Sequence, residues 1–326
     1  MLVSNIICAY QRIVKTEYRV ISRTEIEFPG EGGVTLRGWL FVPAATERRA
    51  AISMCHGFAA VKEHGLERFA TAFAEAGFVV LVHDHRNFGS SDGTPRQDID
   101  PWAQIADWRR AITWLESRPE VDPSHIGIWG SSFSGGHALV LAATDRRVKC
   151  VVSQVPTISG FEQVRRRVAP DAMPAWIATV TEDLREQHRG HAPRVQAVVS
   201  ADASVPAAYR SPEAIAFYSQ PLAGASWENR VTLRSSFAAS MYEPGVWVSR
   251  ISPTPLLMVI ANDDRVTMTD LELEAYERAL EPKRLVLVPG HHFDPYDAAF
   301  DLASGAAVDW FALHLAVGGA AGRKQI

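Results

Sequence analysis

The sequence predicts an α/β fold: a mostly parallel sheet of eight strands with helices on both faces, interrupted late by an inserted helical segment. Three observations carry this. Short apolar runs recur at 50–55, 78–82, 148–152, 255–261 and 284–288, a pattern suited to strands covered on both faces. Between them lie stretches with apolar residues at helical spacing, and strand–helix alternation implies parallel strands joined by right-handed crossovers. The alternation stops near residue 156 and resumes at Pro255.

In chain order, residues 18–28 and 33–42 read as an antiparallel pair joined by Pro29-Gly-Glu-Gly-Gly33, a turn cluster and not a phosphate loop, since no helix follows. The strand at 50–55 ends in His56-Gly57-Phe58. Residues 63–76 carry Leu66, Phe69, Ala70 and Phe73 on one helical face, and Gly77 stops that helix. The strand at 78–82 runs into a turn-rich loop, 83–93, in which Asp84 and Arg86 are read as ties that hold the loop. A helix over 100–117 follows, then a strand leading to Gly130, a helix through 143 and a strand at 148–152. After the insertion come a helix over 270–280, the strand at 284–288 and a helix over 296–315. The core is therefore expected from 1–155 and 251–326, with 156–250 a mostly helical cap over the C-terminal ends of the strands, where open α/β sheets bind ligands. Its aromatic content, including Trp176, Tyr209, Phe217 and Trp227, argues against a disordered linker.

The stretch that organises the chain is Ile126-Gly-Ile-Trp-Gly-Ser-Ser-Phe-Ser-Gly-Gly-His137. A buried strand turns sharply into a helix, and Gly130, Ser134 and Gly135 supply the small neighbours that such a turn needs around Ser132. This is the pattern of a nucleophile elbow. Ser131 would place Trp129 at a small position, and Ser134 falls one turn too late. A helix-capping serine loop is the plainer reading, but the flanking strand and helix favour a nucleophile.

A serine hydroxyl needs a base to take its proton and an acid to orient that base, and with this turn the chain order is Ser, acid, His. Asp264 follows the strand at 255–261 and is preferred as acid, with Asp263 the alternative. His292 follows the strand at 284–288 and is preferred as base, with His291 the alternative. The oxyanion requires aimed N–H donors, assigned to Phe58 and Phe133. The scattered histidines His83, His85, His188 and His191 lack metal-ligand spacing, so neither metal nor cofactor is expected.

The 326 residues are 47% hydrophobic, enough for a large core, and the net charge of −4 without a long basic run argues against nucleic acid or an anionic membrane as partner. Three scattered cysteines give no disulfide framework. The mildly apolar segment 1–10 lacks a basic leader and is read as a surface or dimer-contact helix of a cytoplasmic protein.

At His56-Gly-Phe58, at 83–93, at Gly130-Ser-Ser-Phe-Ser-Gly-Gly136, at Asn262-Asp-Asp264 and at Gly290-His-His-Phe293, the chain resembles the α/β-hydrolase superfamily over nearly its whole length. It is most similar to the dienelactone-hydrolase-like and Xaa-Pro-peptidase-like serine hydrolases. Trp227-Glu-Asn-Arg-Val-Thr-Leu-Arg-Ser235 and Tyr242-Glu-Pro-Gly245 resemble a subgroup found with polyketide biosynthesis, whose members include acyl hydrolases and acyl transferases. Ser134 replaces a common glycine, and His291 replaces a small residue before the expected base. The expectation is a serine acyl hydrolase of esterase, lactonase or thioesterase type, acting on a small-molecule acyl substrate, medium-sized and partly apolar, enclosed by Trp176, Tyr209 and Trp227. Acyl transfer or acyl elimination on the same residues is the second reading, and a non-catalytic binding protein of this fold the third.

Overall fold

The computed structural model describes residues 21–44 and 46–316. The expected N-terminal helix, and the first residues of the expected first strand, lie outside the described residues. β1 (Ile21–Pro29) and β2 (Thr35–Pro43) form an antiparallel pair. In the turn between them Gly32 and Gly33 take φ of 70° and 82°, which glycine alone adopts without strain. β3 (Arg49–Cys55), α1 (Leu66–Glu75), β4 (Val79–His83), α2 (Pro101–Glu116), β5 (Val121–Ser131), α3 (Phe133–Thr144) and β6 (Val148–Gln154) follow. α2 starts where it does because the Asp100 carboxylate accepts the Trp102 and Ala103 N–H groups at 2.9 and 3.1 Å, with Pro101 in the first turn.

The inserted segment contributes α4 (Gly160–Arg167), α5 (Met173–His188), β7 (Val195–Val199), β8 (Ala207–Tyr209), α6 (Pro212–Tyr218), β9 (Val231–Thr232) and α7 (Leu233–Ser240). The chain then returns through β10 (Leu256–Ala261), α8 (Thr269–Arg278), β11 (Lys283–Val288) and α9 (Phe300–His314). Here the structure adds something to the helical expectation: β8, β7 and β9 form a small second sheet. Strands of two, three and five residues are too short to register as a two-residue period in sequence.

The main sheet has the order β1-β2-β4-β3-β5-β6-β10-β11, antiparallel at β1, β2 and β4 and parallel from β4 onward. From β3 the chain passes to β4 on one side and then crosses back over β3 to β5 on the other. Such a reversal opens a crevice beyond the strand ends. Register makes those ends flush: Cys55 pairs with Gly130, and Gly130 with Ser153. Alternate residues of β5 serve opposite faces. Ile128 joins the cluster with Ile105, Trp108 and Leu139, whereas Trp129 stacks near Phe69 and Phe73 in the cluster completed by Phe311. With both faces sealed, the strand ends are the place left for chemistry. Among the described residues no helix is long and apolar enough to cross a membrane.

Candidate active site

β5 ends at Ser131, and Ser132 takes φ 57° and ψ −119° before α3 begins. A non-glycine residue in that region costs about 1–3 kcal/mol and persists only where its surroundings hold it. They do: the Ser132 N–H donates to the Gln154 carbonyl at 2.9 Å, and its own carbonyl accepts the Thr157 N–H at 2.9 Å. The turn also explains its glycines. A Cβ on Gly130 would sit 2.1 Å from the Ser134 carbonyl oxygen, and one on Gly135 would sit 2.9 Å from Pro156 Cα. Ser134, the departure from the usual glycine, has a task of its own. Its hydroxyl donates to the His56 carbonyl at 2.5 Å and lies 2.8 Å from His85 Nε2, tying the turn to the loop after β3.

The structure brings Ser132, His292 and Asp264 together. Ser132 Oγ lies 2.9 Å from His292 Nε2, and His292 Nδ1 lies 2.6 Å from Asp264 Oδ2. The carboxylate partner assigns the imidazole hydrogen to Nδ1 and leaves Nε2 to accept from the serine. Asp264 is buried. Its Oδ1 accepts the N–H groups of Val266 and Thr267 at 2.7 and 2.8 Å, and its Oδ2 accepts the Thr267 hydroxyl at 2.7 Å. Burial pushes this carboxyl up, but the His292 charge and these hydrogen bonds outweigh it and hold Asp264 below the usual carboxylate range. Asp263 and His291 are partly exposed, 3.2 Å from each other, and take no part in this chain of contacts.

Two supporting residues escaped the sequence reading. Thr267 donates to Asp264 and lies 3.1 Å from His292 Nδ1. Glu272, fully buried, lies 3.0 Å from the Thr267 hydroxyl, and burial followed by the neighbouring Asp264 pushes its carboxyl well above the ordinary range. Asp264 is therefore the anion behind the imidazole. The spacing of Thr267, three residues after a loop aspartate, was a readable signal for a local side-chain-to-backbone turn.

Phe58 and Phe133 border the same space. Among the described residues neither N–H has a hydrogen-bond partner. Gly57 permits the approach of this loop, since a Cβ there would lie 3.0 Å from Ser132 Cβ. The carbonyls of the loop are held by the inserted segment: Tyr218 donates its hydroxyl to Phe58 at 2.6 Å, and Trp227 donates its indole N–H to Ala59 at 2.9 Å.

A cavity of about 260 Å³ opens from Ser132, with Phe58 and Phe133 on one side and Gln163, Arg167, Trp176 and Tyr209 of the inserted segment among its walls. Trp176 and Tyr209 thus stand where the sequence placed them. Trp227 does not: its ring packs 5.4 Å from that of His64 and 6.0 Å from that of Tyr218, and its N–H is spent on Ala59. Its aromatic ring packs against the loop and not on the wall of this cavity. Among the described residues the wall includes Arg167 and Arg210 and no carboxylate.

Below the turn, Cys55, His83 and His85 place potential ligand atoms within 4.8 Å of one another. His85 Nε2 already faces the Ser134 hydroxyl, burial followed by the charge of His56 pushes His83 down to about 3, and burial raises the Cys55 thiol. The group serves as packed support for the turn. Asp84 and Arg86 hold the loop after β4, as their positions suggested. Buried Asp84 accepts Lys62 Nζ at 2.7 Å and the Ser90 N–H at 3.0 Å, and Arg86 pairs with Asp107.

The family described as X-Pro dipeptidyl-peptidase (S15 family) matches residues 19–294. The chain belongs to this family. Among its relatives, a thiohydrolase of Eupenicillium brefeldianum is 32% identical over 85% of this chain and 89% of its own length. The polyketide transferase grgF of Penicillium sp. is 31% identical over 91% and 98%. The crystal structure of the α/β hydrolase GrgF from Penicillium sp. sh18 superimposes with a TM-score of 0.79 at 30% identity, covering 90% of this chain and 99% of that one. The S15-family chain is thus an α/β hydrolase of the polyketide-associated subgroup, a serine hydrolase or acyltransferase.

Proposed function

We propose that this S15-family protein is a serine acyl hydrolase that opens thioesters of small acyl groups through an acyl-enzyme on Ser132. The observation that carries the reading is the continuous contact from Asp264 Oδ2 through His292 to Ser132 Oγ, at 2.6 and 2.9 Å. Ser132 Oγ attacks the acyl carbon while His292 Nε2 takes its proton. Asp264 orients the imidazole and stabilises its charged form. The N–H groups of Phe58 and Phe133, which lack partners among the described residues, receive the developing oxyanion. His292 then returns the proton to the leaving thiolate. The cavity beside Ser132 receives the acyl chain against Trp176 and Tyr209. A thioester is favoured over other acyl bonds because a thiohydrolase is among the relatives. The protein is read as cytoplasmic, in keeping with its free, buried Cys55 and Cys150.

The test is covalent labelling with a fluorophosphonate probe together with turnover of acyl thioesters. Wild type is expected to label at Ser132 and to release free thiol, and S132A to do neither. A mutant that still labels removes the assignment. Relatives named polyketide transferases favour a second reading, in which an alcohol captures the same acyl-enzyme. Product analysis with and without an added alcohol separates the two.

A further inference from the structure

Besides the acyl cavity, a second space of about 10 Å³ touches the reacting atoms, and Gly57, His64, Ser132, Phe217, His292 and Tyr296 border it. That is about the room one water molecule requires, provided two or more polar groups face it. His64 is fully buried. Its Nδ1 accepts the Val61 N–H at 3.2 Å, so a neutral ring carries its hydrogen on Nε2. That Nε2 has no hydrogen-bond partner among the described residues. The ring is neutral because burial, then the charge of His56, push it down to about 4; the nearby Tyr218 carbonyl opposes this without closing a hydrogen bond on Nε2. Phe217, Tyr218 and Trp227 pack around the ring at 5.3, 5.6 and 5.4 Å between centroids and hold it in place. A buried N–H left without an acceptor is costly, and its position at the wall beside Ser132 and His292 gives that donor a use.

We propose that the small cavity between His64, Ser132 and His292 seats the one water that hydrolyses the acyl-enzyme, with His64 Nε2–H as the donor that holds it. The inference rests on the acyl-enzyme reading above. The water oxygen bonds to the acyl carbon as its proton passes to His292 Nε2. The bond from that carbon to Ser132 Oγ then breaks, the proton passes from His292 to Ser132 Oγ, and the carboxylic acid leaves. His64 keeps its own proton throughout. Because the space as it stands has room for about one water, hydrolysis is the expected fate of the acyl group, and transfer to a bulkier alcohol requires the aromatic wall to move. His64 is thus a catalytic residue for the second half of the reaction and a bystander in the first.

Pre-steady-state kinetics with a chromogenic acyl substrate tests this. H64F keeps the aromatic bulk and removes the donor. Acylation is expected to stay within about threefold of wild type, while deacylation slows about a hundredfold, the usual effect of losing one aimed donor. Acyl-Ser132 should then accumulate and be visible by intact mass, and H64Q, which restores an N–H, should recover much of the lost rate. Wild-type deacylation in H64F, or an equal fall in both steps, overturns the proposal. Should H64F not fold, partition of the wild-type acyl-enzyme decides. Hydrolysis is expected to dominate, with transfer falling steeply from methanol to butanol, and equal transfer to both alcohols overturns it. Failure of Ser132 to acylate at all would instead defeat the parent reading.

Discussion

The strand ends around Ser132 and the inserted segment that shares its cavity are built on opposite physical terms. Every residue of α3 from Phe133 to Ala142 is buried, and each glycine at the turn has backbone or side chain within van der Waals contact of its missing Cβ. α5, in the insertion, is longer, yet buries only Val180 and Asp183. The first region tolerates almost no change in volume. The second can change one wall residue at a time at small cost in stability. Ser132 is seated where packing is tight, and the cavity wall opposite is drawn from surfaces packed more loosely.

The sharpest way to break this contrast is to disable the rigid side without disturbing its fold. S132A should lower kcat by about 10⁴-fold or more with unfolding temperature nearly unchanged, and D264N by about 10⁴-fold with some loss of stability, because the amide gives up the charge that three donors face. Equal losses from Trp176→Ala would erase the distinction.

A second test adds one methyl group to the rigid side. In G130A the new Cβ meets the Ser134 carbonyl oxygen at 2.1 Å, so the backbone must shift. Denaturant unfolding should show a loss of about 3 kcal/mol, with activity lost in parallel.

The third concerns pH. Burial, then the charge of His56, hold His64 at about 4 and His83 and His137 at about 3. The unfolded chain binds protons at these histidines near pH 6.5, and the folded chain does not. Their contribution to stability is therefore complete above pH 6.5 and declines as pH falls toward 4 and then 3, by up to about 1.4 kcal/mol per pH unit for each. Urea midpoints measured from pH 7 to pH 4 should fall accordingly; a flat profile would mean that these rings are not buried as described. Asp264 behaves in the opposite sense of charge. Its lowered carboxyl stabilises above the unfolded value near 4 and loses that contribution only below it.

On the adaptable side, Trp176→Ala should change the ratio of kcat/KM between long and short acyl thioesters about tenfold, with less than about 1 kcal/mol change in stability. The smallest effect is expected for Trp227→Phe, which loses one hydrogen bond to Ala59, about 1 kcal/mol, and leaves acyl preference alone. A change in chain-length preference there would return Trp227 to the cavity wall.

The same division governs how much could be read before folding. Ser132 was legible because a strand, a tight turn and a helix must announce themselves through apolar runs and small residues. Asp264 and His292 were legible because the loops after β10 and β11 follow in chain order, although the choice against Asp263 and His291 needed coordinates. Trp227 misled, since an aromatic side chain in an insertion faces a cavity or a loop with the same sequence signature. The small sheet of β7, β8 and β9 was missed because its strands, of five, three and two residues, are too short to establish an alternating pattern. Nothing local marked His64, a lone histidine before a helix, as the owner of a buried N–H without a partner among the described residues.

What the amino-acid order determined by itself is the α/β architecture, the bend at Ser132 and the chain order of its partners, because backbone sterics and hydrophobic periodicity act between neighbours in sequence. Only the tertiary structure decided which of two acids and two histidines face Ser132, which aromatic residues border the acyl cavity, and that one water-sized space lies beside the relay. Those outcomes depend on distances between segments far apart in the chain, and such distances are set by packing.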